Sequence, residues 1–189
     1  MNDPIHVNKK SLIYLTGFMG SGKSTIGPIL ANTLGYTYLD VDQFIEQKTK
    51  KRIAEIFSAE GEQAFRNLER NSLLELAGRD HSVISLGGGT IANDANCRIV
   101  SQSGILIYLK LSIEEILQRV QYRNDRPMLK DAQGNPLQGK ALEMRIQELL
   151  SFREQFYSRA NVIITTDKMR VGDTVDEIMK NIRSLIEQE

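Results

Sequence analysis

A glycine-rich segment near the amino terminus has the residue types and the spacing of a phosphate-binding loop. Residues 17–25 read GFMGSGKST and contain the pattern G-x-x-x-x-G-K-[ST]. Glycines in such a loop let backbone N–H groups turn toward a polyphosphate at a helix amino terminus, whose dipole also favours an anion. Lys23 would then reach the β- and γ-phosphates, and Ser24 would bind Mg²⁺. The pattern predicts a nucleoside triphosphate site with Mg²⁺, formed by Gly20, Ser21, Gly22, Lys23, Ser24 and Thr25.

The residues on either side of this loop have the periodicity that a phosphate site requires. An apolar run at residues 12–15 precedes the loop, and apolar residues at helical spacing follow it as far as Leu34. The loop is therefore predicted to connect a strand to a helix. A simple Gly/Ser turn before a helix is the alternative interpretation, but the complete spacing and the flanking elements favour the phosphate loop.

Two carboxylates follow the next predicted strand. Asp40 and Asp42 come directly after residues 36–39, and ligands of open α/β sheets collect at the carboxyl ends of strands. The later strand runs 82–86 and 104–110 do not end in the aspartate that often holds magnesium. One of the two carboxylates could orient the water shell of the metal, and the other could accept a proton or a hydrogen bond from a hydroxyl acceptor. Such a pair suits a polyol better than an anionic acceptor.

Three further stretches allow more than one interpretation. Gly87-Gly88-Gly89 indicates either a turn with positive φ or the close approach of a ligand. Charged residues on the predicted helix 60–76 are, by spacing alone, typical of a solvated face. The polar segment 122–140, punctuated by glycine and proline, predicts a mobile lid.

The alternation of strands and helices predicts the fold. Five strand runs separated by helical patterns indicate a parallel sheet covered on both faces, in one P-loop α/β domain spanning residues 1–189. The order of the strands is left open. The first helix is predicted to end at Leu34 with Gly35 as its cap, and Pro28 predicts a local irregularity inside it.

Composition limits the classes of function. The 24 basic and 24 acidic side chains cancel, so no overall field favours nucleic acid or an anionic membrane. The single cysteine, Cys97, excludes an internal disulfide and a cysteine zinc site, and is expected to be a packing residue. No run has the length of a signal peptide core or a membrane span, so a soluble cytoplasmic protein is expected.

Several motifs in order resemble the shikimate kinase family. They are the loop GSGKST, the segment DVD at 40–42, GEQAFR at 61–66, SLGGG at 85–89, NDRP at 124–127, and Arg153 before Tyr157. The resemblance implies a nucleoside-monophosphate-kinase-like fold with a closing lid, and a monomer. It also implies transfer of the ATP γ-phosphate to the 3-hydroxyl of shikimate, on the route to chorismate and the aromatic amino acids.

The same resemblance implies roles for individual residues. Asp42 would bind the shikimate hydroxyls, as a hydrogen-bond acceptor or as a general base, and Asp40 would hold magnesium through water. Arg66 and Arg153 would bind the substrate carboxylate, because a guanidinium matches a carboxylate in bidentate geometry. The remaining implied contacts are the backbone of Gly88 and Gly89 to shikimate, Arg126 in the lid to the transferring phosphoryl group, and Arg119 to the adenine ring.

Three other classes are weighed against this interpretation. A switch GTPase would carry D-x-x-G and N-K-x-D segments, which the sequence lacks. A gluconate kinase shares the phosphate loop but not the triple glycine with its paired arginines. A nucleotide-binding module without catalysis is disfavoured, because Lys23, Ser24, Asp42 and Arg126 are all present.

Overall fold

The five strands form one parallel sheet. A computed structural model describes residues 11–120, 127–131 and 133–186, and all statements about structure refer to these residues. The strands are β1 (Leu12–Thr16), β2 (Thr37–Asp40), β3 (Ser82–Ser85), β4 (Ile105–Lys110) and β5 (Val162–Thr165). They pair in parallel in the order β2-β3-β1-β4-β5. The predicted five-stranded parallel α/β fold is therefore confirmed.

Helices cover both faces of this sheet. They are α1 (Lys23–Leu34), α2 (Val41–Thr49), α3 (Ile53–Leu76), α4 (Asp94–Ser103), α5 (Ile113–Val120), α6 (Gly139–Tyr157) and α7 (Val171–Ile186), with a 3₁₀ turn at Pro127–Leu129. Within the described part of the chain, no helix combines the length and the apolar character needed to cross a bilayer.

Residues of β1 alternate between two apolar cores. Leu12 and Tyr14 pack into the core beneath α2, α3 and α4, whereas Ile13 and Leu15 pack into the core beneath α1 and α7. All four side chains are fully buried. A strand covered on both faces has no solvent side, which explains why the sequence shows a continuous apolar run there instead of alternation.

The register of the sheet brings three chain segments to one edge. Ser85 at the end of β3 pairs with Leu15 of β1 on one side and with Asp40 of β2 on the other. Because the strands are parallel, the segments that leave their carboxyl ends emerge side by side. The glycine-rich loop, the two carboxylates and the triple glycine therefore meet at this edge.

The predicted irregularity at Pro28 is wrong. Helix α1 is continuous from Lys23 to Leu34 with Pro28 inside it, and it ends at Gly35 (φ 70°) as predicted. Proline normally excludes the residue before it from helical geometry, because its Cδ clashes with the N–H and the Cβ of that residue. Here the preceding residue is Gly27, which has no Cβ, so the helix tolerates the proline and loses one hydrogen bond.

Helix α3 contains the break that the sequence predicted. Gly61 adopts φ 83° and ψ 172°, so a short helical segment before it and a longer one after it meet at a kink. Only glycine enters this region at little cost. The two halves match the short helix around residues 53–57 and the longer helix 60–76 that the periodicity of the sequence predicts. Helix α6, by contrast, begins at Gly139, two residues before the start at Ala141 that the sequence predicts.

Candidate active site

The glycine-rich loop is built as the sequence predicted. Gly20 and Gly22 adopt φ 85° and 90°, a left-handed geometry that L side chains rarely enter, and Gly22 is the amino-terminal cap of α1. A Cβ at Gly17 would lie 2.5 Å from the carbonyl oxygen of Leu109, so a larger residue cannot occupy that position. The loop thus opens directly into the amino terminus of a helix, where an anion is stabilised.

Lys23 is held against this loop. Its Nζ donates to the carbonyl oxygens of Gly17 and Phe18 at 2.7 and 3.2 Å, and lies 3.3 Å from the hydroxyl of Ser21. These acceptors keep the ammonium group beside the backbone of the loop. A cation is therefore present where the sequence places the β- and γ-phosphates.

The larger of two cavities at this edge of the sheet has a volume of about 550 Å³. All six residues that the sequence assigned to a nucleoside triphosphate line it. Its other walls come from the ends of β2 and β3, from α5, and from the loop before α7 with the first turn of that helix. They include Asp40, Asp42, Ser85, Gly87, Gly88, Arg119, Thr166, Met169 and Thr174.

Arg119 of α5 lies beside the phosphate loop. One of its guanidinium nitrogens donates to the carbonyl oxygen of Gly20 at 3.0 Å, and another pairs with Glu115 at 3.2 Å. The stem of the side chain passes close to Gly20, since a Cβ at that glycine would lie 3.3 Å from Cβ of Arg119. The arginine is thus fixed at the wall of the larger cavity, and its contact with adenine stays a prediction.

Both aspartates of the DVD segment lie at the amino terminus of α2. Asp40 caps this helix by accepting a hydrogen bond from the N–H of Gln43 at 3.1 Å, and Asp42 lies in the first turn. Negative charge is favourable at this end of a helix. Both residues line the larger cavity, where Ser24 also lies.

These oxygen donors fit a magnesium ion that keeps most of its waters. Magnesium prefers hard oxygen ligands and usually binds through one or two protein groups, with waters and substrate phosphates completing its shell. Within the described ranges, no cluster of three or more His, Cys, Asp or Glu side chains could hold a metal ion. The described residues thus contain no metal site made of protein ligands alone. Ser24 and Asp40 line the same cavity and are the two protein groups that fit such a partly hydrated ion.

The smaller cavity has a volume of about 140 Å³ and adjoins the larger one. Apolar side chains line one part of it, and charged side chains with the triple glycine line the rest. The lining residues are Met19, Asp42, Ile53, Phe57, Phe65, Arg66, Glu69, Gly87, Gly88, Gly89, Met128 and Arg153. Asp42 and Gly88 belong to the walls of both cavities, so a carboxylate stands where the two spaces meet.

The triple glycine has an ordinary backbone conformation, and its lack of Cβ atoms allows side chains to approach it closely. None of its residues is among the described glycines with positive φ. A Cβ at Gly87 would lie 3.2 Å from Oδ1 of Asp42, one at Gly88 would lie 3.2 Å from Nη1 of Arg153, and one at Gly89 would lie 3.1 Å from Nη1 of Arg66. Of the two explanations open from the sequence, the turn with positive φ is wrong. The groups that approach the three glycines are side chains of Asp42, Arg66 and Arg153, and the close approach of a ligand stays a prediction.

Arg66 is not on a freely solvated helix face. Its guanidinium pairs with Glu62 at 3.1 Å and with Glu69 at 3.0 Å, and the Glu69 side chain is only 2% exposed. The hydroxyl of Thr90 donates to the other oxygen of Glu69 at 2.8 Å. Burial alone would lower the pKa of Arg66, but the carboxylates of Glu69 and Glu62 outweigh it and raise the pKa above its usual value. Arg66 is therefore a fixed cation on the wall of the smaller cavity.

Arg153 of α6 reaches the same cavity from the opposite side. It is 5% exposed, and its guanidinium lies 5.4 Å from the ring centroid of Phe18. One helical turn later, the hydroxyl of Tyr157 donates to the carbonyl oxygen of Gly88. Glu69, Thr90 and Tyr157 have no role among the sequence predictions. Helical spacing places Glu69 and Tyr157 on the same faces as Arg66 and Arg153, and Thr90 directly follows the triple glycine.

The proposed lid is described only in part. Arg126 lies outside the described residues, so its predicted contact with the phosphoryl group stays a prediction. Beyond it, Leu129 is buried and the backbone of Met128 accepts a hydrogen bond from Arg145 at 3.3 Å. Residues 128 and 129 of the predicted lid are therefore anchored to α6.

A phosphate loop between the first strand and the first helix, on a parallel sheet and beside a second, smaller cavity, is the architecture of the P-loop kinases. The solved structure of a gluconokinase from Sinorhizobium meliloti supports this fold assignment, with a TM-score of 0.60 over 96% of this chain and 95% of that chain. At 17% identity, this likeness concerns the fold alone.

Closer similarities identify the family. The family model for shikimate kinase matches residues 19–183. The shikimate kinase of Chlorobium limicola is 46% identical over 178 residues, which are 94% of this chain and 89% of that protein. A solved structure of shikimate kinase from Acinetobacter baumannii, in complex with shikimate, has a TM-score of 0.84 and 36% identity over 95% of this chain and 96% of that chain. The chain belongs to the shikimate kinase family and is an ATP-dependent kinase.

Proposed function

We propose that this enzyme transfers the γ-phosphoryl group of ATP to the 3-hydroxyl of shikimate, with ATP in the larger cavity and shikimate in the smaller one. The observation that carries this assignment is the shared wall between the cavities, where Asp42 faces both. A group can pass directly between two substrates only if their reacting atoms approach each other. The junction at Asp42 is the place where this occurs.

The larger cavity supplies what a triphosphate requires. The backbone of residues 20–25 and the Lys23 ammonium bind the β- and γ-phosphates, and Arg119 packs beside the nucleotide. The hydroxyl of Ser24 and, through water, Asp40 would hold magnesium, which would supply charge neutralisation for the phosphates. Two protein groups would suffice, because water and phosphate usually provide the other ligands of this ion.

The smaller cavity supplies what a monoanionic polyol requires. Arg66 and Arg153 bind the shikimate carboxylate, since each is a fixed guanidinium on the cavity wall. Asp42 accepts hydrogen bonds from the ring hydroxyls, and the backbone of Gly88 and Gly89 contacts the ring. A sugar acid of another shape would leave some of these buried groups unpaired, which lowers its affinity.

Asp42 accepts a hydrogen bond from the attacking 3-hydroxyl and orients it. As the new P–O bond forms, the bond between the γ-phosphorus and the β–γ bridging oxygen breaks, ADP leaves, and the hydroxyl proton passes to Asp42 or to solvent. In a loose phosphoryl-transfer transition state, positioning and charge neutralisation contribute more than proton removal. Lys23 and Arg126 neutralise the charge on the transferring group. The apolar walls and the lid of residues 122–140 exclude water, which would otherwise accept the phosphoryl group.

A coupled assay of ADP release tests this function. We expect the wild-type enzyme to use shikimate and to show little or no turnover with quinate or gluconate. Asp42→Asn should lower kcat by a factor of about 100 or more, while the variant still folds and binds ATP. Asp80→Asn is the matched control, because Asp80 precedes β3 at the opposite edge of the sheet and its side chain is 84% exposed. Equal turnover with all three acceptors, or normal turnover of Asp42→Asn, would contradict the proposal.

A further inference from the structure

Tyr157 is a buried polar residue that the mechanism above does not use. It is fully buried at the carboxyl-terminal end of α6, and its ring stacks on that of Tyr108 with 4.8 Å between centroids. Its hydroxyl donates to the carbonyl oxygen of Gly88 in the triple glycine. A tyrosine hydroxyl placed in a core must be paired, and here its partner is a backbone group of the active site.

The same hydroxyl also contacts Arg153. Arg153 precedes Tyr157 by one helical turn, and the positive charge of its guanidinium lowers the pKa of the tyrosine. A Cβ at Gly88 would lie 3.2 Å from Nη1 of Arg153 and 3.7 Å from the Tyr157 hydroxyl. The hydroxyl therefore donates to the backbone of Gly88 close to a guanidinium, and Gly88 and Arg153 both line the smaller cavity.

We propose that Tyr157 is a positioning residue for shikimate binding, whose hydroxyl fixes the Gly88 peptide and the Arg153 guanidinium in their binding geometry. This inference rests on the proposed function of the smaller cavity. Removing the hydroxyl leaves the Gly88 carbonyl without this partner in a buried place and takes a polar oxygen away from the Arg153 guanidinium, so both groups lose a contact that fixes them. A displaced guanidinium loses its alignment with the substrate carboxylate.

Burial keeps this hydroxyl in the form that donates. It raises the pKa of Tyr157 to about 12, against the lowering effect of Arg153. Tyr108, which stacks on it, is itself held by a hydrogen bond to Glu154 at 2.7 Å, and Lys110 pairs with that carboxylate at 2.8 Å. Tyr157 thus packs against Tyr108 of β4, which Glu154 of α6 holds in place, and this packing fixes the hydroxyl that donates to Gly88.

Tyr157→Phe tests the role, because phenylalanine keeps the ring and removes only the hydroxyl. We expect KM for shikimate to rise roughly tenfold, with KM for MgATP and kcat changed by less than about twofold, since the lost alignment concerns binding of the acceptor. Tyr14→Phe is the matched control. Tyr14 is also fully buried, and its hydroxyl pairs with Ser103 at 2.7 Å, outside both cavities. Its removal should lower stability but leave both KM values unchanged.

The outcomes separate this inference from the proposed function. A wild-type enzyme that does not phosphorylate shikimate overturns both. If the wild-type enzyme is active but Tyr157→Phe keeps its KM for shikimate, or raises both KM values equally, the role of Tyr157 is overturned and the proposed function stands. If Tyr157→Phe does not fold alone, saturating MgATP shifts it to the folded state by mass action, and shikimate binding is then measured in the presence of MgATP. The affinity for shikimate should fall roughly tenfold relative to wild type, and an unchanged affinity would reject the proposal.

Discussion

Arg66 shows how a single side chain can be kept charged and fixed in position at the wall of a small cavity. A guanidinium that is part buried requires nearby negative charge, and Glu69 provides it from one turn along α3. Glu69 is itself nearly inaccessible to water, so its carboxylate charge must be compensated by protein groups, and Arg66 and the Thr90 hydroxyl both donate to it. Thr90 follows the triple glycine, so this network links the helix that carries Arg66 to the loop that lies beside the proposed substrate.

We expect Glu69→Gln to raise KM for shikimate about tenfold, because the amide replaces a charged acceptor and cannot hold Arg66 in the same way. The variant should also lose about 1–3 kcal/mol of stability, since Arg66 loses its buried counter-ion. Steady-state kinetics and urea denaturation measure the two effects.

Glu62→Gln is the control for this variant. Glu62 pairs with the same guanidinium, but its side chain is 58% exposed, and exposed pairs of this kind contribute less than about 1 kcal/mol. Its KM for shikimate should stay within about twofold of wild type. Equal effects of Glu62→Gln and Glu69→Gln would show that burial of the carboxylate does not matter to Arg66.

The residues that the sequence identified differ from those it missed in a physical way. The loop of residues 17–25 and the segment at 40–42 act through contiguous backbone and side chains, so their chemistry can be inferred from local spacing. Glu69 and Tyr157 act by contacting Thr90 and Gly88, which are 21 and 69 positions away in the chain. Such contacts depend on how α3 and α6 pack on the sheet, and helical spacing alone could not distinguish Glu69 from a solvated charge.

At the scale of elements, the contact between α1 and β2 depends on one glycine. Gly27 is buried in α1, and a Cβ there would lie 2.4 Å from the ring of Tyr38 in β2. The same glycine allows Pro28 to follow it inside the helix. The close approach of α1 to the sheet, which sets the position of the phosphate loop, thus depends on the absence of one methyl group.

We expect Gly27→Ala to destabilise the protein by about 1–3 kcal/mol, although alanine ordinarily favours a helix over glycine. Gly172→Ala is the matched substitution. Gly172 lies in the first turn of α7 with nothing within 4 Å of its Cβ position, so alanine there should stabilise by about 0.4–1 kcal/mol. Thermal or urea denaturation measures both. If the free energy of unfolding changed in the same direction in both variants, the clash with Tyr38 would be excluded as the cause of the effect of Gly27→Ala.

The element order was predictable, but the strand order was not. Apolar runs and helical periodicity located all five strands within one or two residues, because both cores select apolar side chains locally. The placement of β3 between β2 and β1 depends on the long connection through α2 and α3, whose path is not encoded in local spacing. The prediction at Pro28 was wrong because the effect of a proline on a helix depends on the residue before it, and Gly27 has no Cβ to clash with the proline ring.

At the scale of the whole molecule, buried tyrosines couple stability to alkaline pH. Burial raises the pKa of Tyr14 and of Tyr157 from the ordinary value of 10.0 to about 12. It raises the pKa of Tyr108 as well, with a further contribution from Glu154. These residues lie in the core beneath α2, α3 and α4, so their ionisation concerns the fold as a whole and not one surface.

The sign of the effect follows from linkage. Below pH 10 the tyrosines are protonated in both states, so their full contribution to stability is present. Between pH 10 and 12 the unfolded chain releases these protons while the folded chain retains them, and the free energy of unfolding falls. Each group with a pKa near 12 should contribute a loss on the order of 2 kcal/mol over this interval.

Urea denaturation of wild type and Tyr14→Phe at several pH values between 9 and 12 measures this loss. Lysines also titrate there, but they do so equally in the two proteins, so the difference between the two curves isolates Tyr14. We expect the wild-type free energy of unfolding to fall more steeply than that of Tyr14→Phe, and the two to approach each other as pH rises. Parallel curves would mean that Tyr14 ionises at the same pH in the folded and unfolded chains, which a hydroxyl sealed in the core and paired with Ser103 does not allow.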